Sequence, residues 1–258
     1  MLAYAIDLLH SPLFWMFVGI GFFAQLCDGA LGMGFGVISS SVLTALGYPR
    51  AVVSAAVNGA KMITCSVLGV SHIAYKNIDW RAFAILTAGG IVGGFVGAFA
   101  LSSGAARIIG PIVSVYLILV GIYIIWRASH IERPRVAALG IAGVGVAGGV
   151  FEAMAGVWGP IVTTNLVAVG LNARLAVGTS ILTEVVVAVV VFFVLAEHIG
   201  LAQLSRPVIG LVVGAMIASP LAAMLTVAIP KRRLMIGVGI LVIITSSYRL
   251  ARDFGLIQ

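Results

Sequence analysis

Two charged residues sit where a charge is hardest to keep. Lys61 is eleven residues into an apolar block that begins at Ala51, and Glu184 is twelve into one that begins at Ala173. At about 1.5 Å per helical residue each lies about 15 Å deep, near a membrane midplane. A charge at that depth must face water, a partner or a substrate, which makes both residues candidates for function. Lys61 can offer positive charge to an anion, with the Asn58 amide as a second donor three residues earlier on the same helical face. It can equally pair with Asp28 or Glu184, or snorkel out. Glu184 follows Thr179, Ser180 and Thr183 and precedes the apolar run 185–196. It can hold Lys61, or take up a proton and so lower the cost of carrying a charged solute.

Two more acids, Asp28 and Glu152, lie in glycine-dense sequences: Asp28-Gly-Ala-Leu-Gly-Met-Gly-Phe-Gly36 and Gly148-Gly-Val-Phe-Glu-Ala-Met-Ala-Gly-Val-Trp-Gly-Pro160. Pro160 lacks a backbone donor, and the glycines remove the side chains that stabilise a helix, so each sequence reads as a helix break. A helix broken inside the bilayer exposes donors at the start of its second half and acceptors at the end of its first. The donor ends fall at residues 34–37 and 159–162, placing Gly34, Gly36 and Gly159 at a site that attracts anions. Asp28 and Glu152 read either as caps on those donors or, with Glu184, as protonatable groups that couple transport to a proton. Polar clusters follow each break: Ser39, Ser40 and Ser41, then Thr163, Thr164 and Asn165. Such groups suit an oxyanion that must be released, and they equally suit helix packing. Met154 and Trp158 are expected to pack beside that path.

The elements that must position these residues follow from composition. Of 258 residues, 62% are hydrophobic and 9% charged, against about 25% charged in an ordinary soluble domain. A globular cytosolic enzyme, a disordered chain and a nucleic-acid module are all excluded by that balance, and the lipid bilayer is the expected partner. Apolar blocks run at about 13–47, 51–75, 82–102, 107–127, 138–170, 173–197, 207–229 and 232–250. The first and fifth would make helices of about 50 Å, longer than the bilayer is thick, and each holds one of the breaks. Adding 124 to a residue number carries Asp28 onto Glu152, Gly32 onto Gly156, Arg50 onto Arg174 and Arg107 onto Lys231. The expected fold is therefore an all-α polytopic membrane protein of two homologous repeats, residues 1–130 and 131–258, joined through the polar stretch 127–135. Each repeat has a broken or re-entrant first helix and three spanning helices.

If the broken segments turn back, the second repeat is inverted, and the loops on the two sides collect nine and five basic residues. Lys76, Arg81, Arg127, Arg133, Arg135, Arg174, Lys231, Arg232 and Arg233 fall on the richer side. If all eight blocks cross, the partition is eight and six. The positive-inside rule prefers the inverted layout with the amino terminus outside. Cys27 and Cys65 lie in apolar stretches and read as core residues, and no two of His10, His72, His130 and His198 have ligand spacing, so no metal and no cofactor is expected. No Walker loop, dinucleotide fingerprint or nucleophile elbow occurs, and no nucleophile and base sit at matched depth, so no enzyme is expected. The start of the chain lacks the order of charged region, short apolar core and cleavage site that marks a removable signal peptide. The stripe Gly89, Gly90, Gly93, Gly94 and Gly97 can pack helices within one subunit or between two, leaving a homodimer open.

The motifs Gly29-x-x-Gly32-x-Gly34-x-Gly36 and Gly149-x(6)-Gly156-x-x-Gly159-Pro160, with Pro49-Arg-Ala-Val-Val-Ser54 and Asn172-Ala-Arg-Leu-Ala-Val-Gly-Thr-Ser180 after them, resemble the TauE/SafE family of membrane proteins. The likeness runs from about residue 13 to 250. It implies a secondary carrier in a bacterial cell membrane that moves small sulfur-containing anions such as sulfite or organosulfonates outward, coupled to an ion gradient. Phe35 interrupts the first glycine run, no proline closely follows Gly36, and Glu152 and Trp158 enrich the second break; these departures bear on substrate identity. Two other readings stay open. One is a carrier of another anion, or of a cation drawn by Asp28, Glu152 and Glu184. The other is a membrane scaffold that transports nothing.

Overall fold

A computed structural model of the chain describes residues 9–31, 34–103, 106–129, 140–228 and 231–256. Gly32 and most of the stretch 127–135 lie outside them. The described residues form α1 (Pro12–Leu31), α2 (Phe35–Ala45), α3 (Arg50–Ala74), α4 (Trp80–Ser102) and α5 (Ala106–Ser129), then α6 (Ile141–Ala155), α7 (Gly159–Ala168), α8 (Ala173–Ile199), α9 (Leu201–Ala228) and α10 (Lys231–Asp253). The offset of 124 relates the two series: it carries the end of α1 at 31 and the start of α2 at 35 onto the end of α6 at 155 and the start of α7 at 159.

Both long apolar segments break, and both reverse. Phe35 N–H donates to Asp28 Oδ1 at the first break, while the rings of Phe17 and Tyr48, far from it on either side, meet at 5.5 Å. That pairing requires α2 to fold back along α1. In the second series Gly148 of α6 lies against the side chains of Trp158 and Val162, so α7 folds back along α6. Gly156 supplies the left-handed residue that ends α6, at φ 68°, a conformation open to glycine at little cost.

Five of the six remaining helices have the length and apolarity that bilayers demand. Arg50–Ala74, Trp80–Ser102, Arg174–Ile199, Leu201–Ser219 and Met235–Asp253 are each long and apolar enough to cross. Large apolar side chains such as Phe95, Phe99, Leu119, Phe193 and Ile244 are exposed, as lipid-facing residues should be. α9 starts at Leu201, ahead of the Pro207 that bounds the apolar block in the sequence. One missing hydrogen bond near its start does not stop a helix whose flank packs closely.

Glycine sets the spacing between helices. Gly89, Gly93 and Gly97 of α4 lie in turn against Ala142 and Val146, Val146, then Val150 and Ala153 of α6, so these two run parallel with backbones nearly touching. Gly210 and Gly214 of α9 meet Phe14 and Phe17, then Val18 and Phe22, of α1 in the same parallel sense. α3 and α8 run antiparallel, with Gly59 against Phe192 and Gly69 against Leu182. α5 and α10 are also antiparallel, Gly121 facing Gly239 and Ile243. The first helix of each series therefore packs on the other series, and neither series closes its core alone. The two helix-starting arginines tie the ends together: Arg50 donates to Ser114 Oγ at 2.8 Å and pairs with Asp253 at 2.7 Å. Arg174 reaches the Asn77 side chain and the Tyr75 carbonyl.

A methyl group at Gly93 would fall on the Val146 backbone, whereas one at Gly19 meets nothing within 4 Å. Gly93→Ala should cost about 1–3 kcal/mol through overpacking and lower the apparent Tm in detergent. Gly19→Ala should leave the Tm unchanged or raise it. Equal melting of the two variants would refute this reading of the glycine seam.

Candidate functional site

The site grows from the end of α6. The last turn of any helix carries carbonyls with no partner of their own, and α3 crosses this one at its middle. Ser54 Oγ donates to the Ala153 carbonyl at 2.6 Å. Two turns further along α3, Lys61 Nζ donates to the Gly156 carbonyl at 3.3 Å. A cation is favoured at a helix C-terminus, but it is buried here and needs charge as well as a dipole.

Two carboxylates supply it. Lys61 Nζ lies 2.8 Å from Glu152 Oε1 and 2.7 Å from Glu184 Oε1. With Gly156, these use all three ammonium donors. Glu152 projects from the last turn of α6, with its side chain fully buried, while that of Glu184, in the middle of α8, is 12% exposed. Asp28 occupies the corresponding place at the end of α1 and caps α2 through the Phe35 N–H at 3.1 Å.

The two breaks meet at this cluster. A Cβ on Gly36 would land 2.5 Å from Lys61 Nζ and against the Gly156 backbone, and a Cβ on Gly156 would land 2.9 Å from Ser40 Oγ. Only glycines allow that approach. Beside the meeting point lies a cavity of about 410 Å³, walled by α1, α2, α3, α7, α8 and α9. Asp28, Gly34, Gly36, Lys61, Gly159 and Glu184, all singled out in the sequence, line it.

The other expected site residues lie behind this wall. Asn58 is fully buried and its amide donates to the Ser54 carbonyl at 3.0 Å. Ser39 and Ser40 are buried, and their hydroxyls have no hydrogen-bond partner among the described residues. Thr163 Oγ1 donates to Ser180 Oγ at 2.9 Å, Thr164 is buried, and Asn165 donates to the Ile161 carbonyl at 2.8 Å. Trp158 is wholly buried, its indole N–H shared between the Ser180 carbonyl and hydroxyl. It is a packing residue, as expected.

Four residues on the cavity wall were not expected there from the sequence: Gln25, Thr64, Ser219 and Cys65, the last of which read as a core residue. The signal for three of them was helical spacing. Gln25 precedes Asp28 by three residues, and Thr64 and Cys65 follow Lys61 by three and four, so each pair shares a face. Ser219, on a helix that brings no charge to the site, had no comparable marker.

Comparison with known proteins bears on the chain as a whole. The profile of the family described as "Sulfite exporter TauE/SafE" matches residues 17–249. A Bacillus subtilis (strain 168) protein, "Probable membrane transporter protein YtnM", is 32% identical over 252 residues, covering 93% of this chain and 83% of its own length. No solved structure matches the chain.

Removing one partner of a buried ion pair typically costs about 3–5 kcal/mol, because the other charge is left uncompensated. Lys61→Met should therefore lower the apparent Tm markedly. The triple variant Lys61→Met/Glu152→Gln/Glu184→Gln, which removes the charges together, should recover much of the loss. A Lys61→Met variant that melts with the wild type would mean that the three groups do not hold one another.

Proposed function

The chain belongs to the sulfite exporter TauE/SafE family, and from that membership and the buried charge cluster we propose that this membrane transporter is a secondary carrier of small sulfur-containing anions, sulfite or organosulfonates, coupled to protons. The observation that carries the proposal is the cavity where two helix breaks meet, with Lys61 as the cation in its wall and Asp28 and Glu184 beside it. At about 30 Å³ per water, a cavity of about 410 Å³ admits a sulfonate with several waters.

Proton coupling follows from the charges. Lys61 is already matched by two carboxylates, so an arriving anion meets no free cation. Adding a proton to one carboxylate removes the excess negative charge and frees an ammonium donor. A carrier built this way binds moderately and releases readily, as turnover requires. The reversed running of α3 against α8 and of α5 against α10 supports two inverted halves rocking about the cavity. This reading, by the positive-inside rule, has the amino terminus outside and the side richer in basic loop residues in the cytoplasm of a bacterial cell.

A second reading, a cation carrier, draws on the excess of acids over Lys61 in the same wall. Radiolabelled sulfite uptake into proteoliposomes, competed with sulfonates, dicarboxylates and monovalent cations, separates the two. We expect saturable sulfite flux, competed by sulfonates and insensitive to the cations. That flux should be lost in Lys61→Met and in Lys61→Met/Glu152→Gln/Glu184→Gln, the second variant controlling for stability. Unaltered uptake kinetics in the triple variant would overturn the assignment of Lys61, and cation flux without sulfite flux would favour the second reading.

A further inference from the structure

The two carboxylates on Lys61 are not equivalent, and the difference lies in what each would have to disturb to move. Glu152 is anchored by its surroundings. The residue before it, Phe151, stacks on Tyr116 with ring centroids 4.1 Å apart, and the carbonyl of the residue after it, Ala153, is held by Ser54. Its helix lies against α4 through close backbone approaches at Gly90, Gly93 and Gly149. The side chain has no exposed surface. Glu152 does not line the cavity, so its carboxylate has no open space to turn into.

The backbone of Glu184 is held as well, with Thr183 meeting Thr87 and Val185 lying against Gly69, but its side chain is not enclosed. It lines the cavity, and its carboxylate can swing into that space by side-chain rotation, with α8 fixed. Its hold on the site is the bond to Lys61 Nζ at 2.7 Å. The donor it occupies is the one facing the cavity, since Lys61 and Glu184 both line the wall while Glu152 does not.

We propose that Glu184 is the exchangeable arm of the cluster, giving up Lys61 to the transported anion when it takes a proton, while Glu152 stays as the fixed counter-ion. This proposal rests on the anion-carrier reading above and specifies which group carries the coupling proton. A proton from the solution in the cavity adds to the Glu184 carboxylate. The neutral acid releases its ammonium N–H, and an oxygen of the anion takes that donor. No covalent bond to the anion forms, and Lys61 remains bound to Glu152 and to the Gly156 carbonyl.

The charges balance. Before binding, Lys61, Glu152 and Glu184 sum to minus one; with a proton on Glu184 and a monoanion in its place, they sum to minus one again. The loaded site thus costs no more to hold inside the bilayer than the empty one. Proton and anion move together.

The other groups around Glu184 leave this assignment distinct. α3 presents Lys61 and Cys65, α1 presents Asp28, whose Oδ1 accepts the Phe35 N–H, and α6 presents Glu152. α7 carries no charged or titratable residue. α4 and α9 carry one charged residue each, Arg81 and Arg206. Arg81 lies six residues before the Thr87 that meets Thr183, and Arg206 ten before the Met216 on the cavity wall. These separations are about 9 and 15 Å along the helices.

The test is calorimetric binding of methanesulfonate, whose own charge is constant from acid to neutral pH, to the purified full chain. Wild-type affinity should rise as pH falls, by about tenfold per pH unit over the range where one proton is linked. Repeating the titration in buffers of different ionisation enthalpy should show one proton taken up per anion. Glu184→Gln should bind with pH-independent affinity and no proton uptake, and Glu152→Gln should keep the wild-type pH slope. A wild-type slope in Glu184→Gln, or a flat profile in Glu152→Gln alone, overturns the proposal and leaves the carrier reading standing. A wild-type protein that binds no sulfonate at any pH overturns the carrier reading and this proposal with it.

Discussion

A lysine ammonium in the middle of a bilayer must have every donor occupied and its charge matched, and the architecture follows from meeting that demand. Lys61 reaches the demand through three groups from different elements: the carbonyl that ends α6, Glu152 one turn before it, and Glu184 on α8. None of these lies near Lys61 in sequence. Each is delivered by a helix whose position is set elsewhere, by the glycine seam between α4 and α6 and by the antiparallel packing of α3 on α8. The cluster thus fixes three helices against one another.

The helix breaks serve the same end. A continuous helix would bury its own carbonyls, leaving none for Lys61. Ending α6 at Gly156 frees one, and the absence of a side chain at Gly36 lets the other break approach it. The two series are nonetheless unequal at the offset of 124. Gly34, on the cavity wall, corresponds to Trp158, which is buried and hydrogen-bonded to Ser180. Cys27 corresponds to Phe151, Lys61 to Val185, and Glu184 to Ala60. The large side chains fill on one side the kind of space that stays open on the other, so the polar cavity belongs to one side of the pseudo-symmetric pair.

Much of this could be read from the sequence, and the limits have physical causes. Both breaks, five of the six expected spans and the mid-helix places of Lys61 and Glu184 were legible, because bilayer thickness and helical rise convert residue numbers into distance. The reversal of the broken segments had only the partition of basic residues in its favour, since a segment that turns back and one that crosses have the same composition. It is seen in contacts such as Phe17 with Tyr48. Asn58 shares a face with Lys61, yet its amide turns back to the carbonyl four residues earlier, and Asn165 does the same. That local bond is available to any helical asparagine and competes with binding. The sequence offered Asp28 or Glu184 as partners of Lys61; the packing of α6 and α8 keeps Glu184 and brings Glu152 in place of Asp28.

The most direct measurement is a density map of the protein in lipid nanodiscs at a resolution that places side chains. It should show Lys61 Nζ within about 3 Å of both Glu152 and Glu184, at the level where Gly36 meets Gly156 near the bilayer midplane. Lys61 extended to the headgroups, with residues 12–45 and 141–168 as unbroken rods, would contradict it.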